Sequence, residues 1–313
     1  DAENIYLEAI DLKENDNKLI TKTGIDSETR VLGRYLNLVY ESYDATSAIK
    51  KITIIIEKYP SKYYPYIWRS FCYSDLEDYQ SELIDKTKAI ELCNDNGNKS
   101  VYFVNRAETY KNNLSDYKKA LTDLDKALEF DYTNVSAINL RGLIFVEQGN
   151  YIKAIEEYSK GIALKEVDPE GAGYCYRNRA EQFIHLNQLN KAQNDIDSAV
   201  AIDPNNIDTY YVRAKFNSEI KIDFDKALLD YDNIIELAQD NEWAWYYRAD
   251  FYENKLKVNK NALADFNKCV ELNPERFLIE RAKFYYRQKD FKNSKKDYNL
   301  LVDLDENNPE SYN

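Results

Sequence analysis

The chain runs to 313 residues, with 42 Lys and Arg against 55 Asp and Glu for a formal net charge of −13, and with 44% apolar and 14% aromatic residues. That apolar content excludes intrinsic disorder, and the acid excess argues against a nucleic-acid backbone as the main partner, since such binders need a basic stripe to displace counterions. The acidity either keeps a surface drawn from 28 tyrosines in solution or favours a basic partner.

The first residues, Asp1-Ala2-Glu3-Asn4, carry neither a basic nor an apolar leader region, so any leader is expected to have been removed. No run of 18 apolar residues exists, so no membrane insertion is expected. A cytoplasmic setting is expected, with a periplasmic or secreted one after leader removal as the alternative. Residues 1–28, with YLEAIDLKENDN from Tyr6, read as a partial unit or a cap. Residues 29–62 form a degenerate unit in which Ala48, Ile52 and Pro60 keep a helical frame while Lys51 stands where later units carry an acid.

Beyond it, an arginine followed by a small residue recurs at Arg69, Arg106, Arg141, Arg179, Arg213, Arg248 and Arg281, at intervals of 37, 35, 38, 34, 35 and 33 residues. An acid follows each by 16 or 17 residues: Asp85, Asp123, Glu157, Asp195, Asp230, Asp265 and Asp297. A period near 35 means an array of one supersecondary unit, here two helices and a turn, with arginine on the first helix and acid on the second. Units are expected at about 63–99, 100–134, 135–172, 173–206, 207–241, 242–274 and 275–308, followed by the start of a further helix. Where the gap is 17, the extra residue is expected in the turn, at Asn112–Ser115, Lys221–Asp223 or Lys257–Asn259. Glycine marks loosened joins at Gly97–Lys99 and Pro169–Gly173. The arginine and acid columns are expected to be structural struts, because a residue needed identically in every unit serves the unit. A guanidinium fork can hold a carboxylate of its own or of the adjacent unit.

Catalysis is not expected. The single histidine, His185, rules out any site of two imidazoles, and there is neither a Gly-x-Ser-x-Gly elbow nor a phosphate-binding glycine loop among eight glycines. Cys72, Cys93, Cys175 and Cys269 stand far apart with no two-residue spacing, so they read as reduced packing residues, and neither a metal nor a cofactor is implied.

Aromatic or apolar residues precede each arginine by three (Tyr66, Phe103, Ile138, Tyr176, Tyr210, Trp245, Leu278), and rings follow it by four at Tyr73, Tyr110, Phe145, Phe183, Tyr252 and Tyr285, with Asn217 as the departure. Alanine precedes the acid by three at Ala120, Ala154, Ala192, Ala227 and Ala262, with Glu82 and Ser294 departing. With endings such as AIDPNN and ELNP, these columns resemble the tetratricopeptide repeat, a 34-residue helix-turn-helix, from about residue 30 to the end. The resemblance implies an all-α right-handed superhelical solenoid of about eight repeats that acts as a protein-interaction scaffold or adaptor, or as the regulatory or targeting arm of a larger enzyme or assembly. It also implies a concave groove for a protein or peptide partner. The groove positions carried onto this chain include Tyr64, Trp68, Phe71, Asn105, Asn139, Arg177, Asn178, Glu181, Tyr211, Lys215, Trp243, Tyr246, Tyr247 and Asp250. Rigid rings there, Tyr64 with Trp68 and Phe71, and Trp243 with Tyr246 and Tyr247, either bind or pack between helices.

Overall fold

Short polar side chains start most of the helices. Asp44, Asp78, Asp95, Asp116, Asn134, Asn150, Asn206, Asp223 and Asn273 each accept a hydrogen bond from a backbone N–H one turn into the helix that follows, satisfying a donor that has no partner within the helix. The computed structural model describes residues 27–306, with side chains from 32 to 304. Most of the expected cap at 1–28 and the further helix after 308 lie outside those residues.

Among the described residues there are sixteen α-helices and no strand. The first compact unit of the chain ends at Gly171 and the second begins at Ala172. In the first lie α1 (Ser27–Ser42), α2 (Ala45–Lys58), α3 (Tyr64–Asp75), α4 (Tyr79–Leu92), α5 (Asn96–Asn112), α6 (Tyr117–Phe130), α7 (Val135–Glu147) and α8 (Tyr151–Ile162). Helix α9 (Pro169–His185) carries the boundary. The second unit continues with α10 (Leu189–Ile202), α11 (Ile207–Lys215), α12 (Phe224–Leu237), α13 (Glu242–Phe251), α14 (Asn259–Leu272), α15 (Pro274–Arg287) and α16 (Phe291–Glu306). Within each unit, helices pack on their neighbours in the chain, in antiparallel-hairpin order.

The core follows the columns. The small residues after each arginine, from Ser70 and Ala107 to Ala249 and Ala282, and the alanines before each acid are fully buried, which lets the helix backbones approach closely. Gly142 is the extreme case: a Cβ there would fall 2.3 Å from the ring of Tyr158, itself fully buried.

Two expectations are corrected. The glycine joins are not loosened loops; both lie in the first turn of a helix. Asp95 caps α5 through Asn98 N at 2.8 Å, and Asp168 holds Gly171 N at 2.9 Å in α9. The extra residue of the longer units stays in the turn only once, between α5 and α6. After α11 and α13 it is absorbed by a π-helical end, Phe216–Lys221 and Tyr252–Leu256, closed by Ile222 and Lys257 in the left-handed conformation. The second helix therefore returns in the same register.

The departure at Glu82 is compensated inside the core. Its carboxylate lies 2.6 Å from Lys86 Nζ, and both side chains are buried. Lys86 also donates to Thr109 Oγ1 at 2.8 Å and to the Asn105 carbonyl at 2.9 Å, while Thr109 donates to Glu82 at 2.7 Å. Ser294 is satisfied too, donating to the Ala282 carbonyl at 2.9 Å.

Candidate functional site

The arginines reach the acid of their own unit. Arg69 donates to Asp85 through Nε at 2.7 Å and Nη2 at 2.8 Å, and Arg106–Asp123, Arg179–Asp195, Arg248–Asp265 and Arg281–Asp297 repeat that fork at 2.7–2.8 Å. Arg213 holds Asp230 at 2.6–3.1 Å. The one Glu in the column loosens its pair: Arg141 lies 3.5 Å from Glu157, which takes Lys160 at 2.7 Å instead. Arg141 Nε and Glu157 Oε2 are left buried without a hydrogen bond.

A further column was missed from the sequence. The remaining Nη1 reaches back to the residue two places after the acid position of the preceding unit: Arg69 to Thr53 at 3.0 Å, Arg106 to Thr87 at 2.9 Å, Arg141 to Asp125 at 3.2 Å, Arg248 to Asp232 at 2.6 Å and Arg281 to Asn267 at 2.9 Å. Each such arginine therefore ties its own second helix to the one before. The signal was present in the sequence as an acceptor of any kind, Thr, Asp or Asn, which no residue-identity pattern picks out. Rings flank the guanidinium: Tyr66 and Tyr73 lie 5.9 and 5.8 Å from Arg69, Tyr176 and Phe183 5.6 and 5.5 Å from Arg179, and Trp245 and Tyr252 5.2 and 5.8 Å from Arg248.

The expected groove residues divide by unit. In the first unit Tyr64 is buried at 8% exposure with its ring edge-on to Tyr63 at 5.4 Å. Trp68 and Phe71, half-buried and 5.8 Å apart, lean on Tyr40 of α1 at 5.7 and 6.3 Å. Asn105 and Asn139 are half-buried on α5 and α7.

In the second unit Asn178 is buried, and Arg177 is held by Asp208 at 3.0 Å and Asn206 at 3.3 Å. Tyr211 of α11 and Trp243, Tyr246 and Tyr247 of α13 are half-buried and contiguous, with centroids 4.3 Å apart for Tyr211–Tyr247, 5.9 Å for Trp243–Tyr247 and 5.4 Å for Trp243–Tyr246. The Lys215 ammonium lies 5.8 Å over Tyr211 and the Arg276 guanidinium 4.6 Å over Trp243. Exposed Asp250 and Glu219 stand beside this shelf. Burial, then the neighbouring Tyr247, Glu219 and Asp250, push the Tyr211 phenol up. A cavity of ≈ 340 Å³ adjoins it, walled by Ile184, Val212, Phe216 and Ile220 with Glu181, His185, Lys215 and Glu219 exposed around them. No group of three or more His, Cys, Asp or Glu fit to hold a metal occurs among the described residues.

Paired helices locked by a repeating arginine fork define a helical-hairpin repeat protein. Two of the hairpins, residues 135–168 and 275–308, match the tetratricopeptide repeat family. The chain is 34% identical over 74 residues to the DnaJ homolog subfamily C member 7 homolog of Schizosaccharomyces pombe, and 32% over 71 residues to the protein of that name in Dictyostelium discoideum. Those stretches cover 24% and 23% of this chain but 16% and 13% of the relatives, so the chain spans less than a fifth of either. Yeast Tom70 shares the fold with a TM-score of 0.67 at 20% identity over 97% of this chain and 69% of that one. IFIT1, solved as a monomeric mutant with Gppp-AAAA, does so at 0.58 and 12% identity over 97% and 77%. Likeness at such identities concerns fold alone.

Proposed function

We propose that the chain is a protein-interaction scaffold whose first helices, α9, α11, α13 and α15, hold a segment of a protein partner. The observation that carries this is the continuous half-exposed ring shelf Tyr211–Tyr247–Trp243–Tyr246 beside an apolar-walled cavity, the combination of rigid anchor and pocket on which interface hot spots are built. Tetratricopeptide repeats are typically non-catalytic scaffolds, which fits the absence of a nucleophile–base pair in the sequence. The acid excess, with Glu181, Glu219 and Asp250 around the shelf, favours a basic segment over nucleic acid. The four buried free thiols favour the cytoplasm.

A photo-crosslinking residue placed at Tyr247 is expected to capture a partner in cells, and the same residue at Tyr132, exposed in the turn after α6, is not. Equal capture at both positions would remove the shelf from the function.

A further inference from the structure

A cavity of ≈ 630 Å³ opens on the opposite, second-helix side, between α10 and α12, over the Arg213–Asp230 pair. One departure from the repeat pattern lies in its lining. Where other units place a ring four residues after the arginine, this one has Asn217, buried, donating to Asp230 at 3.3 Å. The next unit is the natural comparison, since it has the same 17-residue gap and the same π-helical end, yet Tyr252 there covers the second face of Arg248 at 5.8 Å. Arg213 is stacked on Tyr210 alone, at 5.1 Å, and its side chain is 23% exposed against 18% for Arg248.

The missing ring leaves a donor open as well. Nη1 of Arg213 makes no hydrogen bond among the described residues, and Asp197, which stands two places after the preceding acid, is engaged by Gln193 at 3.0 Å. Lys221 stands in the same wall without a salt bridge, its ammonium 5.4 Å over Phe216, whereas Lys226 is held by Asp223 at 2.9 Å. The free features are thus one guanidinium face, one guanidinium N–H and one ammonium. The wall balances, Arg213, Lys221 and Lys226 against Asp197, Asp223 and Asp230, so no net charge is demanded of a ligand.

We propose that this cavity is a binding site for a planar, uncharged aromatic ring that carries a hydrogen-bond acceptor on its edge. The ring stacks on the open face of Arg213, and the acceptor takes Nη1 or Lys221. The phenol ring supplies this chemistry, either as a free small molecule or as a tyrosine side chain of a partner. The site is separate from the ring shelf and stands or falls without it.

The test is saturation-transfer NMR of the whole chain with p-cresol and with the tripeptide Gly-Tyr-Gly. Wild-type protein is expected to give saturable transfer to both. Asn217→Tyr, which supplies the ring internally, is expected to bind p-cresol about tenfold more weakly and to melt at a higher temperature. Tyr252→Asn, which opens the equivalent position beside Arg248, is expected to add a second p-cresol site, and it keeps the test valid if Asn217→Tyr fails to fold. Tighter binding of the tripeptide assigns the ring to a partner's side chain; equal affinity assigns it to a free molecule. No saturable transfer to the wild type, or undiminished binding to folded Asn217→Tyr, overturns the proposal.

Discussion

Lys86 sits where most other second helices place Leu124, Tyr158, Ile196, Tyr231 or Phe266, and Glu82 sits where they place alanine. Either residue alone would bury an uncompensated charge. Together with Thr109 and the Asn105 carbonyl they make a buried, hydrogen-bonded ion pair at 2.6 Å, in which Glu82 Oε2 is left without a partner. Desolvation consumes most of what such a pair gains, whereas removing one partner leaves the other stranded at a cost of about 3–5 kcal/mol. Glu82→Ala is therefore expected to destabilise the chain by about that much in urea unfolding. Glu82→Ala with Lys86→Leu, which restores the ordinary repeat pattern, is expected to recover all of the loss. A double variant as unstable as the single one would show that the pair is not the reason for the departure. The sequence showed Glu82 only as a break in a column; Lys86, four residues on, carries the compensating charge, but the burial of both and the bridge through Thr109, a helix away, do not show along one column of positions.

At the scale of elements, seven of the eight described hairpin turns contain a residue with positive φ, Glu77, Ser115, Gly149, Asn187, Ile222, Lys257 and Lys289, and only one of these is glycine. A β-branched side chain tolerates that conformation worst. Ile222, at φ 55° and 62% exposed, carries the left-handed penalty of about 1–2 kcal/mol and buries little in return. Ile222→Gly is expected to raise the unfolding free energy of the second unit by about 1 kcal/mol, read from its urea midpoint. An unchanged or lowered midpoint would mean that the π-helical end, not the side chain, sets the local energy. The helix pairs, their order and the arginine–acid fork were legible because each recurs with one period. Where the extra residue of the longer units goes was not, since a turn insertion and a π-helical end restore the same register downstream. Burial of Tyr64 and Asn178 was equally hidden: the family's groove positions describe an average helix phase, and here these two side chains turn into the packing.

The whole chain holds two compact units, and its four free thiols are distributed between them: Cys72 and Cys93 in the first, Cys175 and Cys269 in the second. Burial pushes the Cys72 thiol up to about 11 and the Cys269 thiol up to about 12, and raises Cys93 as well, so Cys72 and Cys269 offer almost no thiolate at pH 8 in the folded protein. Labelling at that pH then reports opening. In an array whose stability is a sum over repeats and nearest-neighbour interfaces, a local lesion should loosen its surroundings and fade with distance along the chain. Glu82→Ala, between α3 and α5, is expected to accelerate labelling of Cys72 and Cys93 by about a hundredfold, the equivalent of the ~3 kcal/mol lost at the ion pair, while Cys269 labels within about tenfold of its wild-type rate. Mass spectrometry of the separated peptides distinguishes the sites. Equal acceleration at Cys72 and Cys269 would mean that the chain opens as one cooperative body, and the nearest-neighbour description of its repeats would have to be given up.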